Sequence, residues 1–537
     1  MRISATARCI AIVTAVWLVS VILWIHPGVV RPDGAGQLVY LPSAWLDHDL
    51  LFYNEWQGFG LIQNRHILHK EITATDHLAN HWTVGTALVW FPLFAAADTI
   101  PRFADFSRNG ISLPYNVAVI VASALAGLVT LLAGLRIGRS IVSTHAATTA
   151  AIGAWLGTPL LWYATMHATM AHAASAMACA LVFLGAMALR ERSDRWVAFL
   201  TGAAAGLAFS IRPQNAPFAA VPFFLQPRTS PVAYAAGLAA GALPQLIVSW
   251  FLYGGPLTFL GGGSTRPFAA FQRVRAWEPL LSWYHGLVPW TPFAALGLIG
   301  IVLLRKRDTR LMSACLFAFG SQWLINATLD RTFWGGVAFG QRRFDNCTIV
   351  FLIGTAVLVE RLGRKAGTAL VAATSVWTLT LFFAARRGLD LEAYVEPADV
   401  MIDQLRALRD VATQLVPLGG VPEPMRPAVL VMLAAFLLLT AAAAFLLRDM
   451  SRRTAAVLAG TYLIAASLFL VWCGSHDRAH LPEYAVLIAD NKAYGAMPAA
   501  FDFRITLLQQ EADWLRKSGR VAEARETERE IAARLAR

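Results

Sequence analysis

The feature that most constrains this chain is a succession of apolar runs, each long enough to cross or enter a bilayer, separated by short basic stretches. They lie near 8–25, 111–135, 143–164, 171–189, 196–211, 214–226, 231–253, 286–304, 311–328, 346–360, 367–385, 427–447 and 454–473. A helix needs about 20 apolar residues to span the hydrocarbon core. The expected fold class is therefore an all-α polytopic membrane protein with about 13 transmembrane helices. Composition agrees: 57% hydrophobic and 15% charged residues in 537. A soluble Rossmann enzyme, a collagen and a disordered chain are excluded. The five cysteines are odd in number and scattered, which argues against a disulfide scaffold.

The formal net charge of +12 does not point to nucleic acid, because membrane proteins gather Arg and Lys in cytoplasmic loops. With the N-terminus inside, the inner segments carry Arg2/Arg8, Arg136/Arg139, Arg190/Arg192/Arg195, Arg228, Arg305/Lys306/Arg307/Arg310, Arg361/Arg364/Lys365 and Arg448/Arg452/Arg453. The first apolar run exits through Trp24-Ile25-His26-Pro27 without a small-residue cleavage signal, so it reads as an uncleaved span. That orientation has a consequence for the run 83–98, which cannot cross without placing Arg136 and Arg139 outside; it reads as an interfacial helix. The long outer loops are then 26–110, 254–285, 329–345, 386–426 and the tail 474–537. In the tail, residues 501–537 read as a helical hairpin about a KSGR turn.

Polar chemistry gathers in the first outer loop. Residues 26–82 hold His26, His48, His66, His69, His77 and His81, with Asp33, Asp47, Asp49, Glu55, Glu71 and Asp76. Asp33 follows the first span in RPDGAGQLVY. A carboxylate beside a membrane is costly to desolvate and tends to serve proton transfer or metal binding; an Asp-Gly pair is also a common turn. Asp47 and Asp49 share one side of an extended segment, where they suit a hard cation, or else they cap a short helix starting near Leu50. The histidines show no metal-ligand spacing. Three arginines face the same side. Arg212 in FSIRPQN interrupts two apolar runs and calls for an anionic partner or a wet cavity. Arg342 and Arg343 in WGGVAFGQRRFDN suit a phosphate, which guanidinium grips as a fork; snorkelling at a span end is the alternative, more so for Arg343. His167 and His172 bracket an outer hairpin as polar lining or interface anchors.

The order of these motifs resembles the GT-C superfamily of membrane glycosyltransferases, which use polyprenyl-phosphate sugar donors. The shared pattern is a first span, Asp33-Gly34, Tyr40, Asp47-x-Asp49 and Asn54-Glu55, then the interfacial GTALVWFPLF segment. GLAFSIRPQN and the late loop WGGVAFGQRRF follow, so the likeness covers roughly 26–350. It implies a GT-C-like module over 1–385, followed by a loop and two spans over 386–473 and the extracytoplasmic tail 474–537. It also implies Asp33 as general base, and Arg212, Arg342, Arg343, Tyr40, Glu55 and His167 around the donor. Asp47 and Asp49 become the place for a divalent cation, magnesium or manganese, if one is used. The implied partners are a polyprenyl-phosphate-linked sugar, a glycan, lipid or cell-wall acceptor, and membrane lipids, with no nucleic acid. The implied location is the bacterial inner membrane, with the site on the extracytoplasmic face. A transporter or flippase of lipid-linked sugars is the competing class, which calls for charges deep in spans and for internal repeats.

The charge distribution makes a direct prediction. Reporter fusions at residues 105 and 490 should both report the outer side. A cytoplasmic signal at 105 overturns the orientation.

Overall fold

Among the described residues, every apolar run of the sequence is helical. The computed structural model describes residues 5–30, 33–59, 72–102, 104–225, 230–261, 274–328, 332–476 and 503–535. Seven of its helices are long and apolar enough to cross a membrane: Ala5–Trp24, Leu113–Ile141, His172–Glu191, Pro231–Tyr253, Arg364–Arg386, Glu423–Leu447 and Arg452–Ser475. The chain is a multi-pass membrane protein. Those seven are fewer than the about 13 expected, in part because several of the remaining runs form short or broken helices. The run 143–164 splits into Thr144–Leu156 and Leu160–Thr165 at Gly157-Thr158-Pro159, where Pro159 has no N–H to continue a helix. The run 214–226 holds a 3-10 turn, Pro213–Ala220, and a short helix, Val221–Leu225.

The segment expected to be interfacial is a short helix. Its helix, Gly85–Ala97, has 13 residues, about 20 Å at the usual rise, against a hydrocarbon core of about 30 Å. Just beyond it, Asp98 ties the long first loop to the start of helix Leu113–Ile141. It accepts from Arg108 Nε and Nη2, both at 2.9 Å, and from the Tyr115 hydroxyl at 2.6 Å. Burial alone raises this carboxyl, but the Arg108 and Tyr115 bonds outweigh burial and hold it below its ordinary value.

Helices cross closely where glycines remove side chains. In the pair Arg195–Ile211 and Pro231–Tyr253, Gly202 and Gly206 face Gly237 and Gly241, small residues spaced by four on both partners. A Cβ on Gly241 would stand 2.3 Å from the Ala203 carbonyl oxygen, and one on Gly206 2.2 Å from that of Leu238. At the chain end, helices Phe503–Lys517 and Val521–Leu535 form the hairpin read from the sequence. Trp514 of that hairpin packs with Tyr284, Phe333 and Trp334. Glu511 pairs with the buried Arg275, and Arg520 Nη1 lies 2.9 Å from Glu278 Oε1. The hairpin therefore rests on the loop that leads into Arg342.

Gly241→Val should lower stability by about 1–3 kcal/mol, the usual cost of overpacking, and reduce the melting temperature in detergent. Gly320→Ala, where nothing lies within 4 Å of the added Cβ, is the control. Equal melting of the two variants would show that the crossing is not close.

Candidate functional site

Asp33 opens a short helix, Asp33–Leu38, so the Asp-Gly pair is not an exposed turn. Gly34 is needed for space: a Cβ there would lie 2.3 Å from Thr169 Oγ1. Across the site, Arg342 Nη1 donates to Asp33 Oδ2 at 2.7 Å, with the two side chains 15% and 29% exposed. Arg342 begins the 3-10 turn Arg342–Cys347. The loop before it bends through Gly335, Gly336 and Gly340, at φ +87°, +74° and +61°, where side chains bearing Cβ are strained. The Arg342 side chain lies along Gly335 and Gly336, whose added Cβ atoms would each approach it to 3.4 Å.

Arg212 reaches the same place because a proline follows it. The residue before proline avoids the helical region, so helix Arg195–Ile211 ends and Arg212 is extended at φ −153°, ψ 119°. Its Nη1 lies 3.1 Å from His172 Nδ1 and its Nη2 donates to Gln214 Oε1 at 3.1 Å. His172 Nδ1 is also 3.3 Å from Asp345 Oδ2. Gln214 Nε2 donates to the Arg343 carbonyl at 3.0 Å, and Gln322 Nε2 to the Gln214 carbonyl at 2.8 Å. Asn346 donates to both Asn215 and Gln322. A polar network thus joins three otherwise apolar helices and fixes the turn that carries both arginines.

The charges press on one another. Burial, then repulsion from Arg342 and Arg343, lowers Arg212 to about 10, which leaves it protonated at neutral pH. Burial pushes the Asp345 carboxyl well up, and the pull of Arg212 and Arg342 does not cancel it. His167 meets Trp162 edge to face at 4.9 Å; burial and Arg342 hold it down to about 4. His285, 1% exposed, is held to about 3 by burial and Arg342. The result is two guanidinium groups, Arg212 and Arg342, facing Asp33 and Asp345, with Arg343 adding positive charge toward Arg212, an arrangement suited to a phosphate beside a hydroxyl to be deprotonated.

The other expected residues are placed differently. Tyr40 is buried, and its hydroxyl donates to the Trp82 carbonyl at 2.7 Å. It serves packing rather than phosphate binding. Arg343 does not snorkel: it is 9% exposed and its Nη2 donates to Thr332 Oγ1 at 2.6 Å, bracing the loop. The extended segment assumed for Asp47 and Asp49 is not there. Ser43–Asp47 is a π-helical turn and His48 takes φ 63°. The helix cap near Leu50 is also displaced, since the next helix is Tyr53–Gly58 with Phe52 at its N-cap. Asp47 Oδ2 accepts from Asn54 at 2.6 Å, and Asp49 Oδ1 from Ser43 Oγ at 2.9 Å. Glu55 is buried against Asp47, and burial and that neighbour raise its carboxyl well above the ordinary range. A carboxyl that favours its proton and two that are already bonded do not fit a divalent-cation site. No group of three or more His, Cys, Asp or Glu side chains able to hold a metal occurs among the described residues. His66, His69 and Glu71 lie outside the described residues. Asp345 and the bridging part of His172 escaped the sequence reading; an acid two residues after paired arginines at the head of a span was the available signal.

No family model matches the chain, and no curated protein matches it. Two solved structures resemble it over most of its length. A crystal structure of ArnT from Cupriavidus metallidurans bound to undecaprenyl phosphate aligns with TM-score 0.45 and 14% identity, covering 91% of this chain and 78% of that one. The apo crystal structure of the same protein aligns with TM-score 0.42 and 15% identity, covering 87% and 75%.

The buried imidazoles predict a pH dependence. An unfolded chain protonates both rings near pH 6.5, whereas the folded protein keeps His167 neutral to about 4 and His285 to about 3. The unfolded state therefore binds more protons as pH falls below about 6.5, and stability falls with it. Melting in detergent should drop between pH 7 and 5, and His285→Gln should flatten part of that drop. An unchanged slope in His285→Gln would remove His285 as a source.

Proposed function

We propose that the protein is a GT-C-type membrane glycosyltransferase that moves a hexose or pentose from a polyprenyl-phosphate donor to a glycan, lipid or cell-wall acceptor. The site faces the extracytoplasmic side of the bacterial inner membrane. The observation that carries this reading is the Asp33–Arg342 pair at 2.7 Å, beside Arg212 at the end of a broken helix. It supports the reading because a carboxylate and a guanidinium of the kind that grips phosphate as a fork stand next to each other on a multi-pass helical frame.

The chemistry follows from that pairing. An Asp33 oxygen takes the proton of the acceptor hydroxyl, and the hydroxyl oxygen forms the new bond to the anomeric carbon. The bond from that carbon to the donor phosphate oxygen breaks on the opposite face, so the sugar inverts. The phosphate leaves with the bonding pair and an added negative charge. Arg342, turning from Asp33 to the phosphate, and Arg212 stabilise that charge. No protonation of the leaving group is required, because a lipid phosphate is already a good one. His167, neutral beside Arg342, adds a polar wall without competing for the anion.

The test is turnover by purified protein on a panel of radiolabelled polyprenyl-phosphate sugars. Asp33→Asn keeps the shape and should lose about a hundred- to ten-thousandfold in rate, the range for a positioned base. Arg342→Ala should lose more activity than Arg343→Ala, and Arg342→Lys should recover part, since a point charge does not reproduce the fork. Near-wild-type turnover in Asp33→Asn alongside inactive Asp49→Asn or Glu55→Gln moves the base elsewhere. Binding of the lipid-linked sugar with no transfer to any acceptor favours a transporter.

A further inference from the structure

The loop over residues 332–343 is clasped to itself around Arg342. Arg343 Nη2 donates to Thr332 Oγ1 at 2.6 Å, and Gln341 Nε2 donates to the Phe333 carbonyl. Both chain neighbours of Arg342 are thus bonded back to residues 332 and 333, while its own side chain lies along Gly335 and Gly336 and reaches Asp33. The Phe333 side chain is in turn gripped by the C-terminal hairpin. Its ring meets the Trp514 ring edge to face, with centroids 4.7 Å apart. The Arg275 guanidinium lies 5.5 Å from the Phe333 ring and 5.2 Å from the Trp514 ring, and it pairs with Glu511. Arg275 is fixed to the frame, since its main-chain N–H donates at 2.8 Å to the carbonyl of Ala327, near the end of helix Thr309–Thr328. Glu511 and Trp514 stand three positions apart, so they share one face of helix Phe503–Lys517.

We propose that the C-terminal hairpin is a positioning element of the site. Glu511 and Trp514 hold Arg275 and Phe333, and through Phe333 and Gln341 they fix the direction from which Arg342 meets the donor phosphate. The proposal rests on the transferase reading above for the identity of that anion. A loop with glycines at 335, 336 and 340, all in the left-handed region, has little of its own to keep one shape, because glycine gives up more conformational freedom than any other residue. Its rigidity has to come from the groups that grip it. Phe333 is the point where the two grips meet: its carbonyl belongs to the clasp and its ring to the hairpin. Glu511 and Trp514 act through that residue, so they are positioning residues and not catalytic ones.

The experiment compares full-length wild type, Trp514→Ala, Trp514→Phe, Glu511→Gln and Val521→Ala in detergent. Val521 is 49% exposed on the second hairpin helix and is the control. Deuterium uptake of peptides spanning 332–343 reads the loop directly. In Trp514→Ala it should quicken by about tenfold, the weight of one lost aromatic pair, while the membrane spans keep their protection. Trp514→Phe keeps a ring against Phe333 and should restore most of the protection. Glu511→Gln keeps the shape but removes the charge that pairs with Arg275, and should move in the same direction as Trp514→Ala. Turnover on the polyprenyl-phosphate sugar that the wild type uses reads the consequence. A misplacement of about 1 Å can cost about a hundredfold, so kcat/KM should fall by about ten- to a hundredfold in Trp514→Ala, with the donor KM raised. A merely structural loss lowers the working fraction, and so kcat, at unchanged KM. That result overturns the proposal, as does unchanged uptake over 332–343 in Trp514→Ala or equal quickening in Val521→Ala. If the wild type transfers no lipid-linked sugar, the transferase reading fails, and uptake alone decides whether the hairpin holds the Arg342 loop.

Discussion

The ion pair between Asp33 and Arg342 joins residues 309 positions apart, and much of the surrounding architecture serves to bring them together. As a stabilising contact it is modest. Both side chains are partly exposed, and such pairs contribute about 0–1 kcal/mol. Its importance is electrostatic. Arg342 and Arg212 repel each other and Arg343 adds to the strain, so the cluster is held by backbone and hydrogen bonds rather than by its own charges. A site assembled against its own repulsion is already arranged for an anion before one arrives, which is the condition for charge stabilisation without reorganisation.

Holding it requires helices to stop at chosen points. Pro213 ends one helix so that Arg212 turns into the site, and Pro159 breaks another so that Tyr163 and His167 stand beside the Arg342 loop. Broken helices in a membrane leave polar backbone that must be satisfied by protein. Asn215, Gln214, Gln322 and Asn346 supply those bonds: Asn215 Nδ2 takes the Ala208 carbonyl at 2.9 Å and Gln322 that of Gln214. The same amides fix the 342–347 turn. Glycine crossings at 202, 206, 237 and 241 then bring the helix that ends at Arg212 tightly against its neighbour, so structural and functional demands fall on the same segments.

Much of this was legible in the sequence, for physical reasons that also explain the rest. Apolar runs and their basic ends are averages over many residues, and they located the helices well. Arg212 and Arg342 stood out because a guanidinium beside a span needs a partner, and Asp33 because it is an acid beside the first span. Asp47 and Asp49 misled because alternation assumes an extended chain, whereas a π-helical turn and a left-handed His48 rotate the two carboxylates onto separate partners. Tyr40 misled because proximity in sequence to Asp33 says nothing about where a hydroxyl points; it is turned to the Trp82 carbonyl. Asp345 was missed because its meaning depends on His172, which lies on a different helix and has no spacing relation to it. Pair interactions between distant segments are where a single sequence is least informative.

On the proposed reading, Asp33 as base and Arg342 as phosphate clamp coexist without disabling each other. Arg342 pairs with Asp33, which spares the site an isolated carboxylate. A phosphate offers the same guanidinium a second, bidentate partner, and charge-assisted bonds of that kind are roughly twice as strong as neutral ones. Exchanging one anion for the other gives up a partly solvated bond and gains a fork. Gly335 and Gly336 lie along the Arg342 side chain without a Cβ to crowd it. On the proposed reading, an arginine anchored at its main chain by a short turn and paired at its tip with a carboxylate serves both partners in succession.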